Sequence, residues 1–185
     1  MILDAAAQVL LRDGYEKTST NRIAKRAGVS VGSLYRYFSG KDEILLALLA
    51  REIDYLMHVI VTEAVDRSDA TVQESLARLA SASIRGWRYE PRLYRELEHV
   101  PRAKLVAMTR EAYDRLQEHL YSLLKRHALE IPHRDLRSAA FVLVNSAIGL
   151  TSSTDERFLR QHGADELFRL FKGYLLIDAD EVAGP

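Results

Sequence analysis

Two short apolar-faced stretches, separated by Gly28-Val29-Ser30, constrain the fold of this chain more than any other feature. The first covers 21–27, where Ile23, Ala24 and Ala27 share a helical face and Thr20 stands in a capping position before it. Gly28 follows where a left-handed residue ends a helix, a conformation that glycine adopts without a Cβ clash. Ser30 then caps a second stretch, 31–38, on which Val31, Leu34 and Phe38 lie one turn apart. Two short helices joined by a three-residue turn containing glycine make a helix-turn-helix, whose second helix enters the DNA major groove.

With Leu34 and Phe38 facing inward against Ile23 and Ala27, Ser33, Tyr35, Arg36 and Tyr37 are left outside or at the margin. Tyrosine hydroxyls and a guanidinium can bond phosphate oxygens, and an aromatic face can touch a thymine methyl. Gly32 removes a side chain where backbone must approach the sugar–phosphate wall. Thr20 and Lys41, each at a helix start, would hold phosphates at the groove edges. The charge pattern agrees. Lys17, Arg22, Lys25, Arg26, Arg36 and Lys41 fall within 17–41 with no acid among them, so in a chain of net charge zero the remainder carries −6. Such asymmetry points to a polyanion-binding face on an acidic body. Two plainer alternatives stay open on the residues alone: a solvated basic patch, and tyrosines packed beneath the following helix.

The rest of the chain reads as helix. No run alternates with period two, and Pro91, Pro101 and Pro132 each stand between periodic segments, so the fold class is all-α. A first helix is expected over 2–13, and a long fourth one over 41–66, with Asp42 and Glu43 favouring the positive end of its dipole. At 1.5 Å per residue the fourth would run roughly 39 Å. Later helices are expected at 71–89, 91–100, 102–128, 134–154 and 164–177. The expected organisation is a DNA-binding domain over 1–48, joined by the long fourth helix to a C-terminal helical bundle over 49–185.

The 185-residue chain has no cysteine, which excludes a disulfide scaffold, thiol catalysis and cysteine-based zinc sites. No apolar run approaches the ~18 residues of a membrane span and the start does not read as a signal peptide, so a cytoplasmic location with no membrane partner is expected. Catalysis is not expected. There is no nucleophile–base pattern and no glycine-rich phosphate loop. Glu96 and His99 form a single i, i+3 pair, whereas a di-iron bundle needs that pair twice with further carboxylates. Glu96, Glu98 and His99 are therefore read as surface or pocket polar groups, and no metal or other cofactor is expected.

The segment 18–45, TSTNRIAKRAGVSVGSLYRYFSGKDEIL, resembles the DNA-binding domain of the tetracycline-repressor family. Its most telling parts are Ile23-Ala24-x-x-Ala27-Gly28-Val29-Ser30 and Leu34-Tyr35-x-Tyr37-Phe38 followed by Lys41, and the likeness covers about 2–48. The resemblance implies phosphate contacts from Thr20, Tyr35, Tyr37 and Lys41, and groove contacts from Asn21, Arg22, Ser30, Val31, Ser33 and Arg36. Tyr37 stands where many relatives have histidine. Val31 offers no hydrogen bond, which leaves base readout to Arg36 and Ser33. The resemblance further implies a homodimer on a palindromic operator and a C-terminal bundle that holds a small-molecule effector. Effector binding would move the fourth helix and release a repressor from its operator. The alternative is a DNA-bound factor of the same fold that recruits another protein and takes no small ligand.

For the C-terminal body the helical faces give two expectations. The dimer interface is expected on the last two long helices, where Ala140, Leu143 and Ala147 form a small-residue face and Leu167, Phe168 and Phe171 belong to a broad apolar arc. An arc that is wholly intramolecular core is the alternative. The effector pocket is expected among Trp87, Tyr94, Met108, Tyr113 and Asn145, with the Asn145 amide bonded by a neighbouring helix.

Overall fold

In the computed structural model, every regular element among the described residues (1–65, 70–86, 91–132, 135–152 and 155–176) is a helix. Helices α1 (Ile2–Lys17), α2 (Thr20–Ala27) and α3 (Val31–Tyr35) precede α4 (Lys41–Ile60), which gives way to a π-helical turn at Val61–Val65. Next come α5 (Val72–Arg85), α6 (Pro91–Leu97), α7 (Arg102–Arg126) and α8 (Leu136–Thr151). A single turn, α9 (Glu156–Phe158), leads through a second π turn at Leu159–Gly163 into α10 (Ala164–Leu176).

Three boundaries depart from the sequence reading for local reasons. The helix expected over 31–38 closes at Tyr35, where the Tyr37 amide donates to the Leu34 carbonyl at 3.0 Å and tightens the last turn. The first helix continues beyond Asp13, but Gly14 at φ 75°, ψ 169° interrupts its backbone before the final residues. The fourth helix is shorter than 41–66 because its hydrogen-bond pattern changes at Val61. Other ends carry the expected chemistry. Thr71 and Glu74 exchange reciprocal bonds of 3.2 and 2.9 Å at the start of α5, and Asp135 accepts the Arg137 and Ser138 amides at 3.1 and 3.0 Å at the start of α8.

Contacts group the chain into two compact units, 1–54 with 88–111 and 55–87 with 112–185. The division falls inside α4 and inside α7, so it differs from the boundary after residue 48 expected from the sequence. In the first unit, α6 is built into the core: Leu93, Leu97 and Val100 are buried together with Ala6, Leu10, Ile23, Leu34, Ile44 and Leu48. Chain order does not specify which core an amphipathic helix joins, and α6 joins the one formed by α1–α4. In the second unit, α5, α8, α10 and the C-terminal part of α7 enclose Leu76, Leu79, Leu120, Leu124, Leu143 and Phe171.

Candidate nucleic-acid interface

Ser19, rather than Thr20, caps α2. Its backbone is extended (φ −144°, ψ 156°) and its Oγ accepts the Arg22 amide at 3.4 Å, while Thr20 already lies in the helix. Thr20 is thereby left to meet Tyr35, and the two hydroxyls stand 3.1 Å apart. One hydroxyl proton is used within that pair and the other remains to donate to an oxygen outside it. Two of the residues that resemblance assigns to phosphate contact thus form one group.

Ser30 caps α3, accepting the Ser33 amide at 3.0 Å, and its Oγ lies 2.8 Å from Ser33 Oγ. Leu34 is fully buried, and half-buried Val31 and Phe38 pack against the same core. That orientation turns Tyr35 and Tyr37 outward, 53% and 68% exposed, with Arg36 exposed between them. Packing of the tyrosines beneath α4 is thereby excluded. Asn21, Arg22, Ser30 and Gly32 are exposed, whereas Thr20, Val31, Ser33 and Lys41 are half-buried.

The acid-free window is acid-free along the chain but not in space. Asp13, on α1, accepts Arg22 Nη1 at 2.8 Å and Arg12 Nε at 2.7 Å. Hydrogen bonds from Arg12, joined by those from Arg22, hold the Asp13 carboxyl well below the usual carboxylate range against a smaller opposing effect of desolvation. Arg22 is therefore a paired guanidinium, with an Nη1 hydrogen committed to Asp13 and its other N–H donors outside that bond. Arg26 is tied to α1 as well, donating from Nε to Gln8 Oε1 at 2.6 Å. No feature of 17–41 signals Asp13, which precedes that window and reaches Arg22 only because α1 packs on α2.

Lys41 is held by Tyr15. Its Nζ donates to the Tyr15 carbonyl at 3.0 Å and lies 3.9 Å from the centroid of the Tyr15 ring. The Tyr15 hydroxyl donates to Asp42 Oδ1 at 2.8 Å, and burial, followed by the Asp42 carboxylate, pushes the phenol up to about 12. Glu96, half-buried, and His99, exposed, come to the same residue from α6 and the turn after it, while Glu98 is exposed, in keeping with their reading as surface polar groups. The Tyr15 amide donates to Glu96 Oε2 at 2.8 Å, and the His99 ring stacks on the phenol at 5.8 Å.

Of the five effector residues expected from the sequence, the side chains of three, Tyr94, Tyr113 and Asn145, are described. Trp87 and the Met108 side chain lie outside the described residues. Tyr94 packs on the core of the first unit, and Tyr113 is half-buried with its phenol pushed up by desolvation. Asn145 is exposed and donates to the Phe141 carbonyl of its own helix at 2.8 Å, so no neighbouring helix is needed to satisfy it. A cavity of about 10 Å³ lies instead among Ile60, Leu79, Leu116, Leu143 and Phe171, with Ser83 as its polar member.

The expected dimer residues divide in a similar way. Ala140, Leu143, Leu167 and Phe171 are at most 1% exposed in the single chain, because α8 and α10 pack on α5 through them. Ala147 and Phe168 are half-buried. The apolar arc is broad because it has two sides, and its outward side carries Phe141 and Leu170, 55% and 48% exposed.

Comparison with known proteins agrees with this geometry. Residues 2–48 match bacterial regulatory proteins of the tetR family, and residues 71–175 match the tetracyclin repressor-like C-terminal domain. The chain is 34% identical over 80 residues to the fatty acid metabolism regulator protein of Bacillus subtilis, a match covering 43% of this chain and 40% of that one. It is 29% identical over 136 residues to the transcriptional activator FasR of Mycolicibacterium smegmatis, covering 72% of this chain and 61% of that one. Each match spans less than two thirds of the relative's own length. The fold is similar to that of the fatty acid degradation regulator FadR from Bacillus halodurans, with a TM-score of 0.71 at 21% identity over 93% of both chains. An outward-facing helix-turn-helix at one end and a matching C-terminal domain at the other place the chain in the tetR family of bacterial regulatory proteins.

Proposed function

We propose that the protein is a homodimeric transcriptional repressor that occupies an inverted-repeat operator and leaves it when a small apolar effector binds. The observation that carries DNA binding is the display of Tyr35, Arg36 and Tyr37 over a fully buried Leu34, beside the Thr20–Tyr35 hydroxyl pair. In this reading Thr20, Tyr35, Tyr37 and Lys41 hold phosphates, which fixes register without reading sequence. Asn21, Arg22, Ser30, Val31, Ser33 and Arg36 enter the groove.

Two copies of α3 must stand about 34–36 Å apart to seat on successive turns of one duplex face. Exposed Phe141 on α8 and Leu170 on α10 support a homodimer through the outward faces of those helices. The names of two relatives, regulators of fatty acid metabolism and of fatty acid degradation, make a fatty acyl chain the first effector to test. A cavity of about 10 Å³ is water-sized, so the effector binds a more open state. Its differential affinity for that state sets how far it can lower operator affinity.

The test is selection of bound fragments from the source genome, followed by fluorescence anisotropy on the enriched site with and without a long-chain fatty acid. A palindromic site released by the fatty acid supports the whole reading. No duplex binding even in dilute buffer refutes it. The small volume of the cavity also gives weight to a second reading, a DNA-bound factor that recruits another protein. Operator binding without any ligand-induced release or thermal shift would favour that reading.

A further inference from the structure

Tyr15 is held by side chains from two other segments of the first unit, the start of α4 and the stretch 96–99. Gly14, in a left-handed conformation at φ 75°, breaks α1 immediately before it. In an unbroken helix the Tyr15 amide would donate four residues back. Here it donates instead to Glu96 Oε2 at 2.8 Å, across 81 residues of sequence. The Tyr15 carbonyl and ring both hold the Lys41 ammonium, and the hydroxyl holds Asp42. Lys41 and Asp42 are the first two residues of α4. Glu96 is itself fixed, because Leu93 and Leu97 on the same helix are buried in the core that α1 and α4 share.

We infer that Glu96 is a positioning residue for DNA binding: by accepting the Tyr15 amide it fixes the turn that aims Lys41 at the phosphate backbone. The inference rests on the phosphate role assigned to Lys41 under the proposed function. An ammonium has three N–H donors. One is spent on the Tyr15 carbonyl, which leaves two to reach outward along a direction that Tyr15 sets. When Glu96 is lost, the Tyr15 amide has no acceptor at that position, the C-terminal end of α1 is free to re-form around Gly14, and the direction is lost. A helix outside the helix-turn-helix thus takes part in presenting a DNA contact made within it.

The sign of the effect separates this role from simple electrostatics. Removing an acid from a protein that binds a polyanion should strengthen binding, whereas loss of positioning should weaken it. The full chain and its Glu96→Ala, Glu96→Asp, Glu96→Gln, Lys41→Ala and Glu96→Ala/Lys41→Ala variants are compared by anisotropy on a random-sequence duplex. Salt is varied, and the melting temperature of each variant is recorded. Lys41→Ala weakens binding and lowers the salt slope by about one unit. Glu96→Ala weakens binding roughly three- to tenfold with the same fall in slope, and adds nothing in the double variant. Glu96→Asp keeps the charge but falls one methylene short, so it behaves like Glu96→Ala and reports on the role even where Glu96→Ala melts early. Glu96→Gln keeps an acceptor and restores binding. Equal or tighter binding by both Glu96→Ala and Glu96→Asp, or losses that multiply in the double variant, overturns the inference with the Lys41 assignment intact. An unchanged affinity for Lys41→Ala removes the phosphate role of Lys41 and the inference with it.

Discussion

Gly28→Ala tests the turn on which the helix-turn-helix depends, and its cost can be worked out almost in isolation. Gly28 sits at φ 70°, ψ 27°, and a Cβ added there meets no atom within 4 Å. Collisions with neighbours therefore drop out, leaving the local clash of a left-handed L-residue, about 1–2 kcal/mol. Alanine also removes freedom from the unfolded chain, which offsets that cost by roughly 0.4–1 kcal/mol. The net loss lies between about 0 and 1.6 kcal/mol, with a midpoint of ~0.8 kcal/mol, or roughly 2–3 °C in melting temperature for a chain of this size. The backbone cannot escape cheaply by changing φ, because the Gly28 and Val29 amides close α2 on the Lys25 and Ala24 carbonyls at 3.4 and 3.1 Å. Gly28→Asn should cost less than Gly28→Ala, since asparagine tolerates the left-handed region. Thermal and urea unfolding followed by circular dichroism, with operator affinity measured on the folded fraction, gives the order glycine, asparagine, alanine. Greater stability for Gly28→Ala than for the parent, or equal loss for both variants, would refute the conformational argument.

Four further outcomes follow from the geometry. Leu34→Ala empties a fully buried site, so it should lower stability by roughly 2–5 kcal/mol and abolish operator binding, measured by urea titration and anisotropy. Tyr15 holds its proton more tightly folded than unfolded, so its contribution to stability is complete below pH 10 and lost as pH rises toward about 12; the ultraviolet difference between the parent and Tyr15→Phe should show no phenolate at pH 10. Phe141→Glu places a charge on the outward side of α8, and sedimentation should show monomers with weakened operator binding while the melting temperature changes little. Asp13→Asn frees Arg22 and Arg12, so affinity for random duplex should rise by more than affinity for the operator.

What could be read from the sequence was what local chemistry decides. Leu34 and Phe38 share a face because a helix repeats every 3.6 residues, and Gly28 ends α2 because few other residues accept its backbone. Those constraints act within a turn or two, so they survive without knowledge of the tertiary fold. They also set the outward direction of Tyr35 and Tyr37, on which the DNA face depends. The cap of α2 was displaced by one residue for an equally local reason: Ser19 and Thr20 can both cap, and only the extended backbone at Ser19 decides between them. In the C-terminal body, periodicity identified the apolar arcs of α8 and α10 but not their partners. A stripe that includes both Leu167 and Leu170 spans two directions, and packing against α5 determines that Leu167 is the inner one.

The pairing of charges lay beyond the sequence for a different reason. Attraction between Asp13 and Arg22, or between a carboxylate and the Tyr15 amide, depends on distance in space, and the partners are separated by 9 and 81 residues. The six bases of 17–41 therefore overstate the field that DNA meets. In the proposed complex Arg22 meets the duplex with its charge partly neutralised by Asp13, and Lys41 meets it while still bound to Tyr15. Releasing Asp13 to gain the full charge of Arg22 sets a cost against binding that only a well-seated complex offsets. Loose encounters, which cannot make that exchange, gain less from the basic face than its charge suggests. The same acids that weaken the face as a polyanion trap thus favour its discrimination between a matched duplex and any other.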